Sequence, residues 1–280
     1  MPVRNEAWVL GLSARVALMW TDAICILNHA STDRTPEILN ELQTDYPGRV
    51  HVVSMPGEVW TEMQHRECLL ELARAKGATH IAMVDADEVL TENLIDYAKW
   101  LAMPGQMIEL PGYNLRDCIS RYHANGIWGK RWFAVAFQDN PRLHWAGNKF
   151  HHREPHGINF IPYRPIKQGD GGIMHLWGVS EKRLVAKHAL YKLTERIRWP
   201  EKPVEEIDQM YSWAIHGAAN YGTPATWQYA QVPESWWKPY GPLLTYLDIN
   251  AEPWQIEECW RLVKQHGNEK FIGLDLFGVV

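Results

Sequence analysis

Two carboxylates one residue apart, Asp85 and Asp87, directly follow a short apolar run at residues 80–84. Carboxylates at the end of a buried strand can reach one hard divalent cation, either directly or through water. Magnesium or manganese held in this way bridges phosphate oxygens and offsets the charge of a leaving diphosphate. Acidic residues are also common at the N-terminus of a helix. Taken alone, the spacing of Asp85 and Asp87 favours such a helix start over a metal site.

Two further polar residues follow strand-like segments. His175 is the first, and imidazole is a good ligand for manganese and other borderline metals; the alternative is a structural histidine. Asp33 closes the polar loop 28–33, directly before a helix that Thr35 and Pro36 predict. Asp33 could accept hydrogen bonds from a base or a ribose, or it could bond loop amides as an Asx turn, and the residues leave both interpretations open.

The elements that must position these residues alternate between strand and helix over the first half of the chain. Short apolar runs predict strands at residues 23–27, 50–53 and 80–84. Helical patterns lie at residues 7–20, 35–46, 59–76 and from Thr91 to about Met103. This order predicts an α/β fold with a Rossmann-like, mixed but mostly parallel sheet flanked by helices. Ligands bind beyond the carboxyl ends of the strands in such sheets, so the loops that carry Asp33 and Asp85 should meet at one edge.

The pattern changes in the second half of the chain. Strand-like pieces at residues 107–110, 132–137 and 172–174 alternate with loops rich in Gly, His, Trp and Pro. Loops of this kind are where a binding site is commonly built. A charged amphipathic helix is predicted at about residues 180–198, and residues 203–280 are predicted to be mostly helical and rich in Trp.

Composition restricts the class of protein. The chain has 280 residues, of which 46% are hydrophobic and 22% charged, and this suits one large globular domain, or one domain with a smaller appendage. No apolar run reaches the roughly 18 residues of a membrane-spanning helix, and no secretory signal is recognisable. The four cysteines lie far apart without a C-x-x-C pair, which predicts a reduced, cytoplasmic protein. A net charge of −5 argues against a non-specific nucleic-acid binder.

Four motifs occur in one order along the chain: residues 3–6 (Val-Arg-Asn-Glu), residues 28–35 (Asn-His-Ala-Ser-Thr-Asp-Arg-Thr), residues 84–88 (Val-Asp-Ala-Asp-Glu) and His175. In this combination the chain resembles the family 2 glycosyltransferases of the GT-A fold, over roughly residues 1–198. The resemblance implies a glycosyltransferase that moves a sugar from a nucleotide donor, usually UDP-linked, to an acceptor hydroxyl with the help of Mn²⁺ or Mg²⁺. Because so few residues precede the first motif, the first strand is expected to be short.

The resemblance also implies a division of the chain. Residues 1–178 would form the catalytic domain, with a nucleotide-sugar half at about residues 1–105 and an acceptor half at about residues 106–178. Residues 179–280 would form a helical, Trp-rich C-terminal extension, for which the resemblance supplies no role.

The donor-site residues follow from the same resemblance. Those that would contact the nucleotide are Arg4, Asn5, Glu6, Asp33, Arg66, Asp85 and Ala86. Those that would hold the metal are Asp85, Asp87 and His175. Glu6 would lie near the ribose or base, Asp33 would contact the base, and Arg66 would face the diphosphate.

Inversion at the anomeric carbon, which we expect here, needs a base to take the proton of the acceptor hydroxyl. Glu154 is the preferred candidate, because it resembles the His-Glu pair of one subgroup, although Arg153 interrupts that pair here. Asp139 resembles the carboxylate expected before the acceptor helix, and Asp117 is a third candidate. Taken individually, each of the three is better explained as a surface carboxylate.

The acceptor class and two competing functions stay open. The acceptor could be a glycan, a protein, a small molecule or a modified DNA base; the negative net charge disfavours DNA, although Trp-rich loops could stack on an extruded base. A nucleotidyltransferase would share the sheet and the metal carboxylates, but the Gly-rich N-terminal loop for a triphosphate is missing. A non-catalytic carbohydrate-binding protein would use its Trp side chains as sugar platforms.

Overall fold

The computed structural model describes residues 1–57, 59–98, 104–129, 131–147, 152–216 and 226–280. The chain divides into two compact units. The sheet unit comprises Met1–Tyr113, Arg131–His175 and Pro233–Asp248, and the helical unit comprises Asn114–Lys130, Leu176–Val232 and Ile249–Val280. The end of a catalytic domain at residue 178 stays a prediction. In the structure the chain leaves the sheet unit after His175 and returns to it at Pro233.

Strands and helices alternate through the first half of the chain, as predicted. Within the described residues the strands are β1 (Pro2–Val3), β2 (Ile24–His29), β3 (Val50–Met55), β4 (His80–Ala82), β5 (Glu88–Leu90), β6 (Gln106–Asn114), β7 (Arg121–His123), β8 (Arg131–Gln138), β9 (Ile161–Tyr163), β10 (Ile173–His175) and β11 (Tyr229–Gln231). The α-helices there are α1 (Leu10–Trp20), α2 (Thr35–Asp45), α3 (Glu62–Ala75), α4 (Ile95–Ala98), α5 (Gly126–Gly129), α6 (Glu181–Arg198), α7 (Val204–His216), α8 (Glu234–Trp237) and α9 (Trp254–His266). Of the helix predicted from Thr91 to about Met103, residues 99–103 lie outside the described residues.

The first sheet of the sheet unit is parallel, in the order β1-β2-β3. Val3 at the end of β1 pairs with Asn28 of β2, and Met55 at the end of β3 pairs with His29. All three strands therefore end at the same edge. Helices α1, α2 and α3 pack against these strands, which confirms the α/β class with a parallel sheet flanked by helices.

The second sheet has the order β4-β8-β6-β10-β5, with β9 beside β6. Strand β8 pairs antiparallel with both β4 and β6, and β10 pairs antiparallel with β5. The apolar run at residues 80–84 forms a strand only as far as Ala82. In this strand Ile81 pairs with Phe137 of β8, so β4 belongs to the second sheet and not to the parallel first sheet. An apolar run indicates a buried strand but carries no information about the direction of its neighbour.

The helical unit is built on α6, which packs against α7 and α9. Helix α6 begins after Ser180, whose hydroxyl accepts the backbone N–H of Arg183 at 3.5 Å, and it ends at Arg198, as predicted. The core of this unit has two clusters. The buried members of the apolar cluster are Ala189, Leu193, Cys259, Val263 and Phe271. Those of the Trp cluster are Trp128, Trp177, Leu184 and Ala214. Among the described helices, none combines the length and the apolar character that crossing a bilayer requires.

Candidate active site

The loops that follow β1 and β2 are joined through Asn5. Its backbone has a φ of 54°, in the left-handed region that Asn tolerates better than most residues. Its side-chain oxygen accepts the backbone N–H groups of Thr32 at 2.7 Å and Asp33 at 3.3 Å. In return the Asn5 N–H donates to the hydroxyl of Ser31 at 2.9 Å. The first and second motifs of the sequence therefore form one interlocked structure.

Asp33 makes the Asx turn that the sequence left as one of two interpretations. Its Oδ1 accepts the backbone N–H of Thr35 at 2.9 Å, two residues on, and its Oδ2 accepts the N–H of Ala7 at 3.0 Å. Each carboxylate oxygen has a second lone pair, so these contacts leave room for a base donor. The nucleotide-contacting role of Asp33 stays a prediction.

Glu6 connects the same loops to α1. Its backbone N–H donates to the hydroxyl of Thr35 at 3.0 Å, and its carboxylate accepts the indole N–H of Trp8 at 2.6 Å. Its carbonyl accepts the backbone N–H groups of Val9 and Leu10, which begin the helix. Glu6 is half-buried, so part of its surface faces solvent beside the ends of the parallel strands.

An aromatic cluster that the sequence did not predict lies at this edge. His29, at the end of β2, and His65, in α3, have ring centroids 4.6 Å apart, and Trp60 lies 4.4 Å from His65. Burial, followed by the charges of His29, Arg66 and Arg4, lowers the pKa of His65 to about 4. Only His29 had a sequence signal, because it belongs to the second motif; nothing in the spacing connects it to α3.

Asp85 lies between two guanidinium groups. Its Oδ1 is 3.4 Å from Nη2 of Arg66, and its Oδ2 is 2.8 Å from Nη2 of Arg153. Burial alone would raise the pKa of Asp85, but the charges of Arg153 and Arg66 outweigh burial and hold that pKa well below its usual range. Arg66 is itself buried and is further paired with Glu62 at 3.0 Å. Arg66 therefore lies beside the segment Asp85-Ala86-Asp87, here called the D-x-D segment, and its contact with a diphosphate stays a prediction.

Asp87 and His175 lie side by side. The antiparallel pairing of β5 with β10 places His175 opposite Glu88, and its Nε2 lies 3.4 Å from Oδ1 of Asp87. Both side chains are largely buried, at 12% exposure for Asp87 and 21% for His175. The ring of Phe133 meets the His175 ring edge-on at 5.7 Å and limits its orientation.

The residues around Asp87 fit a magnesium or manganese ion that shares its coordination with substrate. Among the described residues, no group of three or more His, Cys, Asp or Glu side chains is arranged to hold a metal. Mg²⁺ is commonly bound by one or two carboxylates, with waters and substrate phosphates completing the shell. The oxygen of Asp87 and the nitrogen of His175 are suitable donors for such an ion, whereas Asp85 is already held by two arginines. The metal itself and the part of Asp85 in binding it stay predictions.

The three base candidates have different surroundings. Asp139 accepts two hydrogen bonds from Arg74, at 2.9 and 2.8 Å, so both of its oxygens are engaged. Glu154 is exposed and directly follows Arg153, the residue that contacts Asp85. Asp117 belongs to the helical unit, where it pairs with Arg121 and, at 3.2 Å, with Arg116.

Comparisons with known proteins bear on the first part of the chain. Residues 1–98 match the model of Glycosyl transferase family 2, and no curated protein matches the chain. The chain is similar to the crystal structure of S. aureus TarS, with 12% identity and a TM-score of 0.41 over 96% of this chain and 53% of that one. It is also similar to TarS 1-349 in complex with UDP, with 13% identity and a TM-score of 0.39 over 77% of this chain and 69% of that one.

The chain thus spans about half the length of the first of these TarS structures. The matched segment contains every predicted nucleotide contact and Asp87, whereas His175, Glu154 and Asp139 lie outside it. The resemblance drawn from the four motifs is confirmed for residues 1–98, which match the model of that family.

Proposed function

We propose that this chain transfers a sugar from a UDP-linked donor to an acceptor hydroxyl, with help from a divalent metal ion. The observation that carries the proposal is the 3.4 Å approach of His175 Nε2 to Asp87 Oδ1, beside the Asp85 that contacts Arg66. Two distant parts of the chain thereby supply one oxygen and one nitrogen donor at the end of a strand. The match of residues 1–98 to a glycosyltransferase family supports the reaction class.

Loss of the diphosphate is the step that these residues would promote. When bound, a divalent ion would supply Lewis-acid stabilisation of the diphosphate charge. Asp87 and His175 would hold that ion, and Arg66 would face the diphosphate from α3. The Arg66 guanidinium is only 6% exposed, so its charge acts in surroundings that screen it weakly. Asp85, kept ionised by its two arginines, would accept hydrogen bonds from the ribose.

Glu154 is the proposed base for the acceptor hydroxyl. It is exposed and therefore accessible to an acceptor, and it adjoins Arg153, which contacts the D-x-D segment. Asp139 is less suited, because its side chain is only 13% exposed and its carboxylate is held in a two-bond pair with Arg74. A carboxylate base on the acceptor side is consistent with inversion.

Thermal unfolding with UDP and Mn²⁺ tests the proposal. UDP should raise the Tm of the wild-type chain in the presence of Mn²⁺, and Asp87→Asn should abolish this rise. Asp22→Asn is the matched control, because Asp22 is exposed at the opposite end of β2 from His29. Stabilisation by free sugar alone would instead favour a carbohydrate-binding protein, and a response to nucleoside triphosphates alone would favour a nucleotidyltransferase. Either result would overturn the proposal.

A further inference from the structure

Arg153 is a largely buried cation that no sequence motif identified. Its side chain is 12% exposed, and its Nη2 contacts two carboxylates, Asp85 at 2.8 Å and Glu88 at shorter range. Glu88 is buried to 1% exposure. A buried carboxylate of this kind requires a partner, because an unpaired charge in the interior is strongly destabilising.

Glu88 links Arg153 to the backbone of the D-x-D segment. Its second carboxylate oxygen accepts the backbone N–H of Asp85 at 3.1 Å, and its own N–H donates to the Asp85 carbonyl at 3.1 Å. The turn from Asp85 to Glu88 is therefore closed through both main chain and side chain. Arg153 then joins the two ends of that turn, which fixes the direction of the Asp85 carboxylate.

The guanidinium of Arg153 also lies near the ring that orients His175. Its Cζ is 5.1 Å from the centroid of the Phe133 ring, and the same ring meets the His175 imidazole edge-on at 5.7 Å. Asp85 consequently faces guanidinium groups, while Asp87 faces imidazole. The carboxylates of Asp85 and Asp87 are close enough in sequence to approach one cation together. In this structure each has its own partner.

We propose that Arg153 is a positioning residue that holds Asp85 toward the ribose of the nucleotide and away from the metal ion. The inference rests on the proposed function, since it concerns the same nucleotide and the same metal. It adds Arg153, which no motif identifies, as the residue that keeps the Asp85 carboxylate apart from that of Asp87. It also gives a specific expectation, because releasing Asp85 should change nucleotide and metal binding in opposite directions.

The test compares ligands that differ only in the ribose hydroxyls. Calorimetry would measure the Kd of UDP and of 2′,3′-dideoxy-UDP, with Mn²⁺ present, for the wild type and for Arg153→Met. The wild type should bind UDP at least fivefold more tightly than the dideoxy analogue, and this ratio should fall below twofold in the variant. The affinity for Mn²⁺, measured by electron paramagnetic resonance with UDP bound, should rise about threefold in the variant, because Asp85 becomes available as a ligand.

Control variants keep the test decisive. Arg142→Met removes an exposed arginine of the same unit and should change neither ratio. Glu88→Gln retains a carbonyl for the Asp85 N–H but loses the ion pair with Arg153, so it should reproduce the loss of ribose discrimination even if Arg153→Met does not fold. Arg153→Lys should restore part of that discrimination.

Three results would overturn the inference, and they separate it from the proposed function. Unchanged ribose discrimination in folded Arg153→Met or Glu88→Gln would show that Asp85 needs no positioning, and the proposed function would stand. If Arg153→Met bound UDP and Mn²⁺ more weakly by the same factor, Arg153 would have a structural role only. Absence of UDP binding by the wild type would overturn the proposed function, and the inference with it.

Discussion

His175 lies opposite Glu88 in the antiparallel pairing of β10 with β5, and this register brings its Nε2 within 3.4 Å of Asp87 Oδ1. In a strand pair, a shift by one residue turns every side chain to the other face of the sheet. The contact between residues that are far apart in sequence therefore depends on the register of two three-residue strands.

Replacing His175 should weaken metal binding without removing the nucleotide site. For His175→Ala we expect the Mn²⁺ concentration that half-saturates UDP-dependent stabilisation to rise at least tenfold, because one of two protein donors is lost. Thermal-shift titration of Mn²⁺ at fixed UDP measures this. His144→Ala, at an exposed histidine of the same unit, should leave the titration unchanged. An unaltered midpoint in His175→Ala would exclude His175 as a ligand.

Replacing Asn5 should destabilise the joined loops. Asn5→Ala leaves the partly exposed backbone N–H groups of Thr32 and Asp33 without their acceptor, and the loss of one such hydrogen bond costs about 0.5–1.5 kcal/mol. Urea unfolding should therefore show a lower midpoint for this variant. Asn40→Ala, on the exposed face of α2, is the control and should unfold like the wild type. Equal midpoints for both variants would contradict the assigned role.

Lys192 should be the largest single contributor to the stability of the helical unit. It is fully buried, and its Nζ contacts Ser212 Oγ at 2.8 Å, the Asp275 carbonyl at 2.6 Å and Asp208 Oδ1 at 2.8 Å. Removing one partner of such a pair costs about 3–5 kcal/mol, so Lys192→Met should lower the free energy of unfolding by about that amount. Chemical denaturation checks this against Lys264→Met, at an exposed lysine of α9. A loss below about 1 kcal/mol, the value of an exposed pair, would contradict it.

His188 should make stability fall with acid. Burial, followed by the charges of Lys187 and Lys192, lowers the pKa of His188 to about 3. The unfolded chain takes up the proton near pH 6.5 and the folded chain does not, so stability is fully present above pH 6.5 and falls as the pH drops toward 3. Between pH 7 and pH 5 the loss from this one group is about 2 kcal/mol.

Replacing the imidazole tests that dependence. In His188→Phe the decline of the unfolding free energy between pH 7 and pH 5 should be shallower than in the wild type, as measured by urea unfolding at both values. His266→Phe, at the C-terminal end of α9, serves as the comparison. Identical slopes for His188→Phe and the wild type would contradict the prediction.

The sequence predicted the parts of the site that depend on local pattern. The loop ending in Asp33 follows β2 and the segment Asp85–Asp87 follows β4, as the short apolar runs predicted. That these two loops meet at one edge stays a prediction. The alternation of strands and helices also predicted the parallel sheet β1-β2-β3. These features depend on neighbours within about 30 residues of each other, which is the scale of one crossover unit.

Arg153 and Glu88 illustrate what local pattern does not contain. They lie 65 residues apart, and they meet where Arg153 lies against β8 and also donates to the carbonyl of Ala134 at 3.4 Å. Nothing in the spacing of a single arginine distinguishes a buried ion pair from a solvated side chain. The same limit applies to His29 and His65, which meet only because α3 packs on β2.

The return of residues Pro233–Asp248 to the sheet unit has a further consequence. Tyr240 is 2% exposed and donates its hydroxyl to the carbonyl of Leu90, the last residue of β5, at 2.8 Å. A fragment ending at residue 198 would therefore lose a buried support of the paired strands β5 and β10, beside which Asp87 and His175 meet. A chimeric chain that retains this strand pair would therefore need residues 233–248 as well, so a single junction after residue 198 would not preserve it.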